Sequence, residues 1–388
     1  MHSLLFPPWT PHPSTVCPPS QLPIHLPSPS PRHSPWTHPP RCITTTQDAK
    51  QQQLCVFTST TFNPPLGLSI VASAAAAADL VRAGLLTEPP EQHKEAEEDV
   101  KYEPRPVPSM GGGVGLFVKR GKRFAAGEVI LVDRPTLMVP DRDGGDAMGS
   151  VVQELAWQGV MQLPERGKRL TRGLARDLGG DELVDVVDTN AFSQLKGGRG
   201  WNLVFPRASR MNHDCVPNAI TRTNATTLTL TVVALRNILP GEQIVNSYLD
   251  PSPPSLSHER RAALSEKWGF TCGCAICAGP AVVKSDARRR RIAATQGELE
   301  YVKGDPAGIY RLTKQVLRLM DAEGMVIPRG EYLGLAAMAA RYLGLGNDVV
   351  RWARRARGHW DLVMGEGSAE AGAMAELEAE MEGMRGAS

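Results

Sequence analysis

"RMNHDCVPNA", residues 210–219, crowds Asn212, His213, Asp214, Cys215, Pro217 and Asn218 into a single short run. A surface loop seldom needs so much chemistry in so little chain. Three readings are open: a nucleophile with its base, a metal site, or a cofactor grip. A second run, "CGCAIC", bears on the choice, because it sets Cys272, Cys274 and Cys277 in one tight loop. Three thiolates so spaced can face one ion. A closed structural zinc site takes four ligands in a tetrahedron, with Zn–S near about 2.3 Å. Cys215 is the one further cysteine outside the N-terminal region, and so the economical fourth ligand. The alternative leaves three free thiols, with Cys215 packed as a small hydrophobe. A Cys215–His213 nucleophile pair is disfavoured. Residues i and i+2 of an extended segment point the same way but stand apart along it. Catalytic pairs instead meet in hydrogen-bond contact, usually from distant segments.

The chain has 388 residues, enough for two or three domains and a sizeable core. Its 43 Lys and Arg nearly balance 41 Asp and Glu, so no direct nucleic-acid binding is expected. Cys17, Cys42 and Cys55 are scattered through the N-terminal region, unlike the even framework of a small disulfide-rich secreted protein. The clustered cysteines suggest a metal and a reducing compartment. "MHSLLFPPWTPHP" breaks into proline before an apolar signal core can build. "LGLSIVASAAAAADL" is too short to cross a bilayer and ends in Asp79. The expectation is a soluble intracellular protein, nuclear, cytoplasmic or both, without membrane contact.

Composition and periodicity divide the chain. Residues 1–60, rich in Pro, Ser, Thr, His and Gln, read as a disordered tail. Residues 61–107 read as a lead-in helix, over 66–87 with Leu80, Val81 and Leu85, followed by a polar linker. Strands are expected near Gly115–Val118 and Val129–Val132, joined through Ala126-Gly127-Glu128. Residues 141–190 have helical spacing, with Val151, Leu155 and Trp157 on one face. Leu228, Leu230, Val232 and Ala234 alternate with polar and β-branched residues as a strand, and "LPGEQIVNSY" is a turn and strand. "SLSHERRAALSEKWGF" reads as a helix capped by Ser257. Residues 281–388 read as tetratricopeptide-like helix pairs ending in a frayed helix, and "DARRRRIAA" as a solvated basic face.

Four segments, in this order, resemble the SET-domain protein lysine methyltransferases. "GGVGLFVKRGKRFAAGEVILVDRP" is similar to the family's opening strands. Asn212-His213-Asp214-Cys215-Val216-Pro217-Asn218 looks like its Asn-His-x-Cys-x-Pro-Asn signature. "GEQIVNSY" looks like its Gly-Glu-x-Ile-x-x-x-Tyr, and "WGFTCGCAIC" like its cysteine-rich post-SET segment. The resemblance covers about residues 108–280 and is nearest to fungal proteins related to the MYND-bearing branch. The MYND finger itself is absent, since residues 141–190 hold no cysteine.

The resemblance implies an α+β fold: a SET (β-clip) domain of short strands over 108–250 with a pseudoknot and the helical insert 141–190. A zinc-bound post-SET segment at 251–280 and an α-helical C-terminal region would follow. It implies S-adenosylmethionine as methyl donor and a lysine-bearing protein segment, such as a histone tail, as acceptor. By position, Gly113, Val114, Gly115, Asn190, Asn212, His213 and Phe270 would contact the cofactor, and Tyr248 would be the active-site tyrosine. Protein partners could bind through the C-terminal helices. Asp214 stands where serine is commoner, Asn246 fills a slot often apolar, and Val114 and "FVKR" also depart from the family pattern. These departures keep open a second reading, a zinc-stabilised interaction scaffold with an inactive core.

Overall fold

The computed structural model describes residues 15–16, 35–47, 50–84, 86, 100–107, 113–141, 145–196, 199–224 and 226–386. In chain order the strands are β1 Thr15–Val16, β2 Arg41–Gln47, β3 Lys50–Ser59, β4 Leu68–Ala72, β5 Tyr102–Val107, β6 Gly113–Val118 and β7 Val129–Asp133. They continue with β8 Leu137–Pro140, β9 Phe192–Lys196, β10 Arg199–Val204, β11 Asn212–His213, β12 Ala219–Asn224, β13 Thr229–Ala234 and β14 Gln243–Asn246. The helices are α1 Ala74–Arg82, α2 Gly145–Gln162, α3 Glu165–Arg172, α4 Glu182–Asn190, α5 Ser257–Trp268, α6 Val282–Tyr301, α7 Pro306–Glu323, α8 Arg329–Tyr342, α9 Gly346–Val363 and α10 Ala369–Gly386. None of the described helices is long and apolar enough to cross a membrane. The chain forms two compact units, residues 1–92 with 134–206 and 224–229, and residues 93–133 with 207–223 and 230–388.

The first unit is built on a seven-stranded sheet in the order β1-β2-β3-β4-β8-β10-β9. This corrects the expectation of a disordered tail over 1–60: β2 and β3 pair antiparallel. Cys55, Val56 and Phe57 are buried there, so a short apolar run outweighs the Thr and Gln around it. Cys42 and Cys55 face each other in the register and are joined by a disulfide, a departure from the reducing setting expected. The rest of that tail, Cys17 included, lies largely outside the described residues.

The expected helix over 66–87 is a strand and then a shorter helix. "LSIVA" is buried at every position as β4, and Ser73 caps α1 by accepting from the Ala76 N–H. A continuous apolar run fits a strand covered on both faces, and periodicity alone cannot separate it from a buried helix. Leu85 lies outside the described residues. Helix α2 packs on β3, β4 and β8, and α4 on β10. Their core joins Val56, Val71, Leu137, Leu155, Val160, Leu183 and Val186. Trp157 is exposed, not on the buried face; Arg172 lies over its ring.

The second unit holds two small sheets, β11-β14-β6-β5 and β12-β13-β7. Strand β5 falls in the expected linker. Its Pro104 and Pro106 leave two positions without an N–H, which an edge strand tolerates. Gly127 turns the chain before β7 at φ 84°, a conformation that disfavours a Cβ. In β13, Leu230 and Val232 are buried as the alternation predicts, but Val233 is buried as well where the pairing with β7 shifts register, and Leu228 lies before the strand. Helix α5 is capped differently from expectation: Leu256 is the cap residue, and Glu259 accepts its N–H. Ser257 instead donates its N–H and hydroxyl to the Asp286 carboxylate of α6.

Helices α6 to α10 each pack on the next. Tight cores form where small residues allow close approach, with Ala336, Ala337, Ala340, Ala353 and Ala356 all fully buried. The basic run 286–294 is not simply a solvated face. Glu323 of α7 is wholly buried and pairs with Arg289 at 2.7 Å and Arg288 at 2.8 Å. The last helix is not frayed along its length, since Ala371 and Leu377 are buried and Arg354 of α9 reaches Glu378 at 2.6 Å.

Candidate active site and metal centre

The opening decapeptide is fixed at both ends. Before it, the buried Asp133 carboxylate at the end of β7 accepts from the N–H groups of Arg207 and Ala208, at 2.8 and 2.9 Å. That holds a 3-10 turn at Ala208–Arg210, from which β11 starts. Strand β11 then pairs in parallel with β14, Asn212 opposite Val245 and His213 opposite Asn246. Asn218 completes the clamp. Its amide donates to the Gln243 carbonyl at 2.8 Å and accepts from the Val245 N–H at 2.9 Å, while its own carbonyl accepts from Leu235. Residues 211–218 and 243–248 thus lie side by side although about thirty residues separate them in sequence. Asn246 is buried, and its backbone carbonyl accepts the Asp214 N–H.

This pairing delivers Tyr248 to His213. The Tyr248 N–H donates to His213 Nδ1 at 3.0 Å, and the rings lie 5.4 Å apart. An accepting Nδ1 leaves the proton on Nε2, which lies 3.2 Å from Cys215 Sγ and so donates to that sulfur. Burial pushes the His213 pKa down to about 4, so the imidazole is neutral near pH 7. The Tyr248 hydroxyl donates to the Met211 carbonyl at 2.7 Å. Trp268 stands 5.2 Å from the Tyr248 ring, and Phe270 meets it edge-on at 6.3 Å. Asp214 bends the loop by accepting the Val216 N–H; burial raises its pKa to about 6.

The four expected thiols converge. Cys215, Cys272, Cys274 and Cys277 all place sulfur within 4.8 Å of one another. Cys215 lies 3.9 Å from Cys272 and 3.4 Å from Cys277. Sulfurs about 2.3 Å from a common tetrahedral centre would be separated by distances of this size, so the donor set fits a thiophilic divalent ion. Mutual hydrogen bonding lowers Cys277 to about 7 and holds Cys274 well below the ordinary thiol range, while it drives Cys215 and Cys272 up. Four acidic groups so close cannot all ionise unless a cation is shared among them.

Gly113, Val114 and Gly115 open β6, opposite Val107, Pro106 and Arg105. A Cβ on Gly115 would collide with the Gln243 amide and stand 2.8 Å from Asn212 Nδ2, so a side chain there would displace both amides. Asn190 belongs to the first unit, where its amide donates to the Ala175 and Val186 carbonyls, both at 2.8 Å. Sequence reasoning missed Arg260, whose guanidinium reaches two of the sulfurs. The signal was an arginine on the same helical stripe as Leu264 and Trp268, a charge on an apolar face. It also missed Asn218 as a two-ended clamp and Gln243 beside Gly115.

A clamped decapeptide beside a short strand, a tyrosine delivered to a histidine, and a four-thiol cluster next to both make up the candidate site. Residues 113–249 match the SET domain family. The chain accordingly carries a SET domain, related to those of the SET5 and SMYD proteins. It is 39% identical over 198 residues to the histone-lysine N-methyltransferase set5 of Schizosaccharomyces pombe, an alignment covering 50% of this chain and 56% of that protein. It is 42% identical over 100 residues to the human protein-lysine N-trimethyltransferase SMYD5, covering 25% of this chain and 23% of that one. The matched stretches therefore span less than two thirds of these relatives. Among solved structures, the SET domain of LSMT bound to lysine and AdoHcy aligns at 12% identity with a TM-score of 0.29, over 75% of this chain and 89% of that one.

Proposed function

We propose that this protein transfers a methyl group from S-adenosylmethionine to a lysine side chain of another protein, and that the four-thiol cluster holds a structural zinc ion. The observation that carries the reading is the parallel pairing of β11 with β14, which brings Tyr248 to His213 beside those thiols. The residues present fit such a cofactor. The amide nitrogens of Asn212 and Gln243 are buried without a partner among the described residues, and both lie beside Gly115, where an added Cβ would displace them. Buried donors of that kind call for an acceptor. In this reading Gly113, Val114, Gly115, Asn212, His213 and Phe270, all of the second unit, contact the cofactor. When bound, the cofactor supplies an electrophilic methyl on a sulfonium centre.

The rest falls to the chain's own residues. The Tyr248 hydroxyl donates its proton to Met211, so it would meet an incoming amine as an acceptor and orient it. It need not act as a base. The half-buried rings of Tyr248, Trp268 and Phe270 exclude water, and desolvation lowers a lysine pKa toward the neutral amine required for attack. Cys215 is engaged with the other three thiols, so it is not the nucleophile. A histone tail is one substrate of this chemistry and a non-histone protein another. Such substrates place the protein in the nucleus, the cytoplasm or both.

Calorimetry with S-adenosylhomocysteine tests the cofactor assignment. We expect one binding event per chain, weakened at least about tenfold by Asn212→Ala, which removes one of the two donors. No detectable binding by the wild type would instead favour the scaffold reading.

A further inference from the structure

The four-thiol cluster is not held by its own loop alone. Arg260 of α5 is 4% exposed, and its guanidinium is spread across the cluster. Nε donates to Cys215 Sγ at 3.3 Å and one terminal nitrogen donates to Cys277 Sγ at 3.2 Å. The same nitrogen donates to the Ile276 carbonyl at 3.0 Å, and the other to the Ser255 carbonyl. Two carbonyls therefore aim the plane, and two sulfurs from different chain segments receive it. His213 Nε2 approaches Cys215 from another side, so that sulfur accepts two donors besides any metal. The second arginine of the neighbourhood, Arg289, is committed elsewhere, to Glu323 and the Ser255 carbonyl.

We propose that Arg260 is the positioning residue of the metal centre. It holds Cys215 and Cys277 in ligating geometry and keeps the metal from leaving by donating two N–H groups to its thiolates. This deepens the zinc assignment proposed above and rests on it. The physical case has two parts. A divalent ion with four thiolates carries two net negative charges in a half-buried setting, and a guanidinium beside it offsets one of them. A thiolate that accepts hydrogen bonds also has less electron density free for protons or competing electrophiles, so its bond to the metal is harder to open. Lysine cannot replace the arrangement, because one ammonium on a flexible stem does not reproduce a planar fork. The coupling extends further. Cys215 is hydrogen-bonded to His213, and His213 accepts the Tyr248 N–H, so Arg260 also steadies the segment after β14 that carries the active-site tyrosine.

The test uses the full chain loaded with zinc, and in parallel with cobalt(II). Zinc release to a chromogenic chelator is timed for wild type, Arg260→Ala and Arg260→Lys, well below each variant's unfolding temperature. Removing an outer partner of a metal ligand typically costs about 10- to 100-fold in affinity, and a release-rate increase on that order is expected for Arg260→Ala. Arg260→Lys should recover only part of it. The sulfur-to-cobalt charge-transfer band should shift in both variants, since the donors to sulfur have changed. Release rates and cobalt spectra equal to wild type in Arg260→Lys would overturn the proposal, even if its unfolding temperature fell, because a purely structural arginine predicts that result. If Arg260→Ala does not fold, the lysine variant alone decides. Wild-type protein that retains no stoichiometric metal would instead refute the zinc assignment itself.

Discussion

At the scale of single residues, Asn218 and Tyr248 carry separable burdens. Asn218 is 1% exposed and satisfies one donor and one acceptor of β14. Asn218→Ala would leave the Gln243 carbonyl and Val245 N–H unpaired in the interior. We expect a loss of roughly 2–4 kcal/mol, read by urea unfolding, from two buried groups at about 1–2 kcal/mol each. Tyr248→Phe removes a hydroxyl and its bond to Met211 while keeping the ring contacts with His213 and Trp268. Its turnover should fall at least about tenfold, the rate equivalent of roughly 1.4 kcal/mol of lost orientation, with S-adenosylhomocysteine affinity within about twofold of wild type. Calorimetry and a methyl-transfer assay on the same preparation separate the two effects. Tyr248 stood out in the sequence through the resemblance of "GEQIVNSY", whereas the clamp made by Asn218 needs the pairing of β11 with β14 to be seen. Arg260 did not stand out, since a lone arginine in "HERRAAL" looks like any exposed helix charge until the fold brings sulfur to it.

Among the elements, helices α5 and α6 are tied by Asp286, whose carboxylate accepts both the N–H and hydroxyl of Ser257 at 2.8 Å. Burial pushes its pKa up, but the Ser257 bonds and the nearby Arg260 charge outweigh it and hold the group below the usual aspartate value. A folded-state pKa below the unfolded one makes the contribution present at neutral pH and lost as pH falls through the folded pKa, below about pH 4. Replacing the acid by Asp286→Asn should flatten the acid limb of a stability-against-pH curve measured by circular dichroism; an unchanged limb would place the titration elsewhere. Glu323 in α7 makes a larger demand. It is wholly buried between Arg288, Arg289 and Ser285, and Glu323→Ala should cost about 3–5 kcal/mol because it strands buried arginine. Strand and helix identity was readable where the period was clean, as in β13 and α7 to α9. It failed at β4, where burial on both faces erased the alternation, and at β5, where prolines on an edge looked like a linker. The β2–β3 pair was hidden by Gln and Thr flanking a short apolar centre, and pairing between strands is invisible to a reading of either one alone.

For the whole molecule, a metal held by the four thiols would be the long-range staple of the second unit. Cys215 lies 57 residues before Cys272, so one ion would close a loop holding β12, β13, β14 and α5. Stripping it with a chelator should lower the unfolding temperature by roughly 5–10 °C, the equivalent of a few kcal/mol in a unit of this size, and stoichiometric zinc should restore it. The SET segment at residues 113–249 was legible because the four stretches of the resemblance occur in order. The split of the chain into two interleaved units was not, because the excursion at residue 134 and the return at residue 207 leave no mark in composition. The most direct test of the central claim is mass spectrometry of lysine residues after the protein is incubated with methyl-labelled S-adenosylmethionine and a cell protein fraction. We predict labelled methyl groups on lysine side chains of a protein in that fraction, reduced at least about tenfold with Tyr248→Phe. Wild-type protein that binds S-adenosylhomocysteine yet labels no lysine above a control without the enzyme would contradict it.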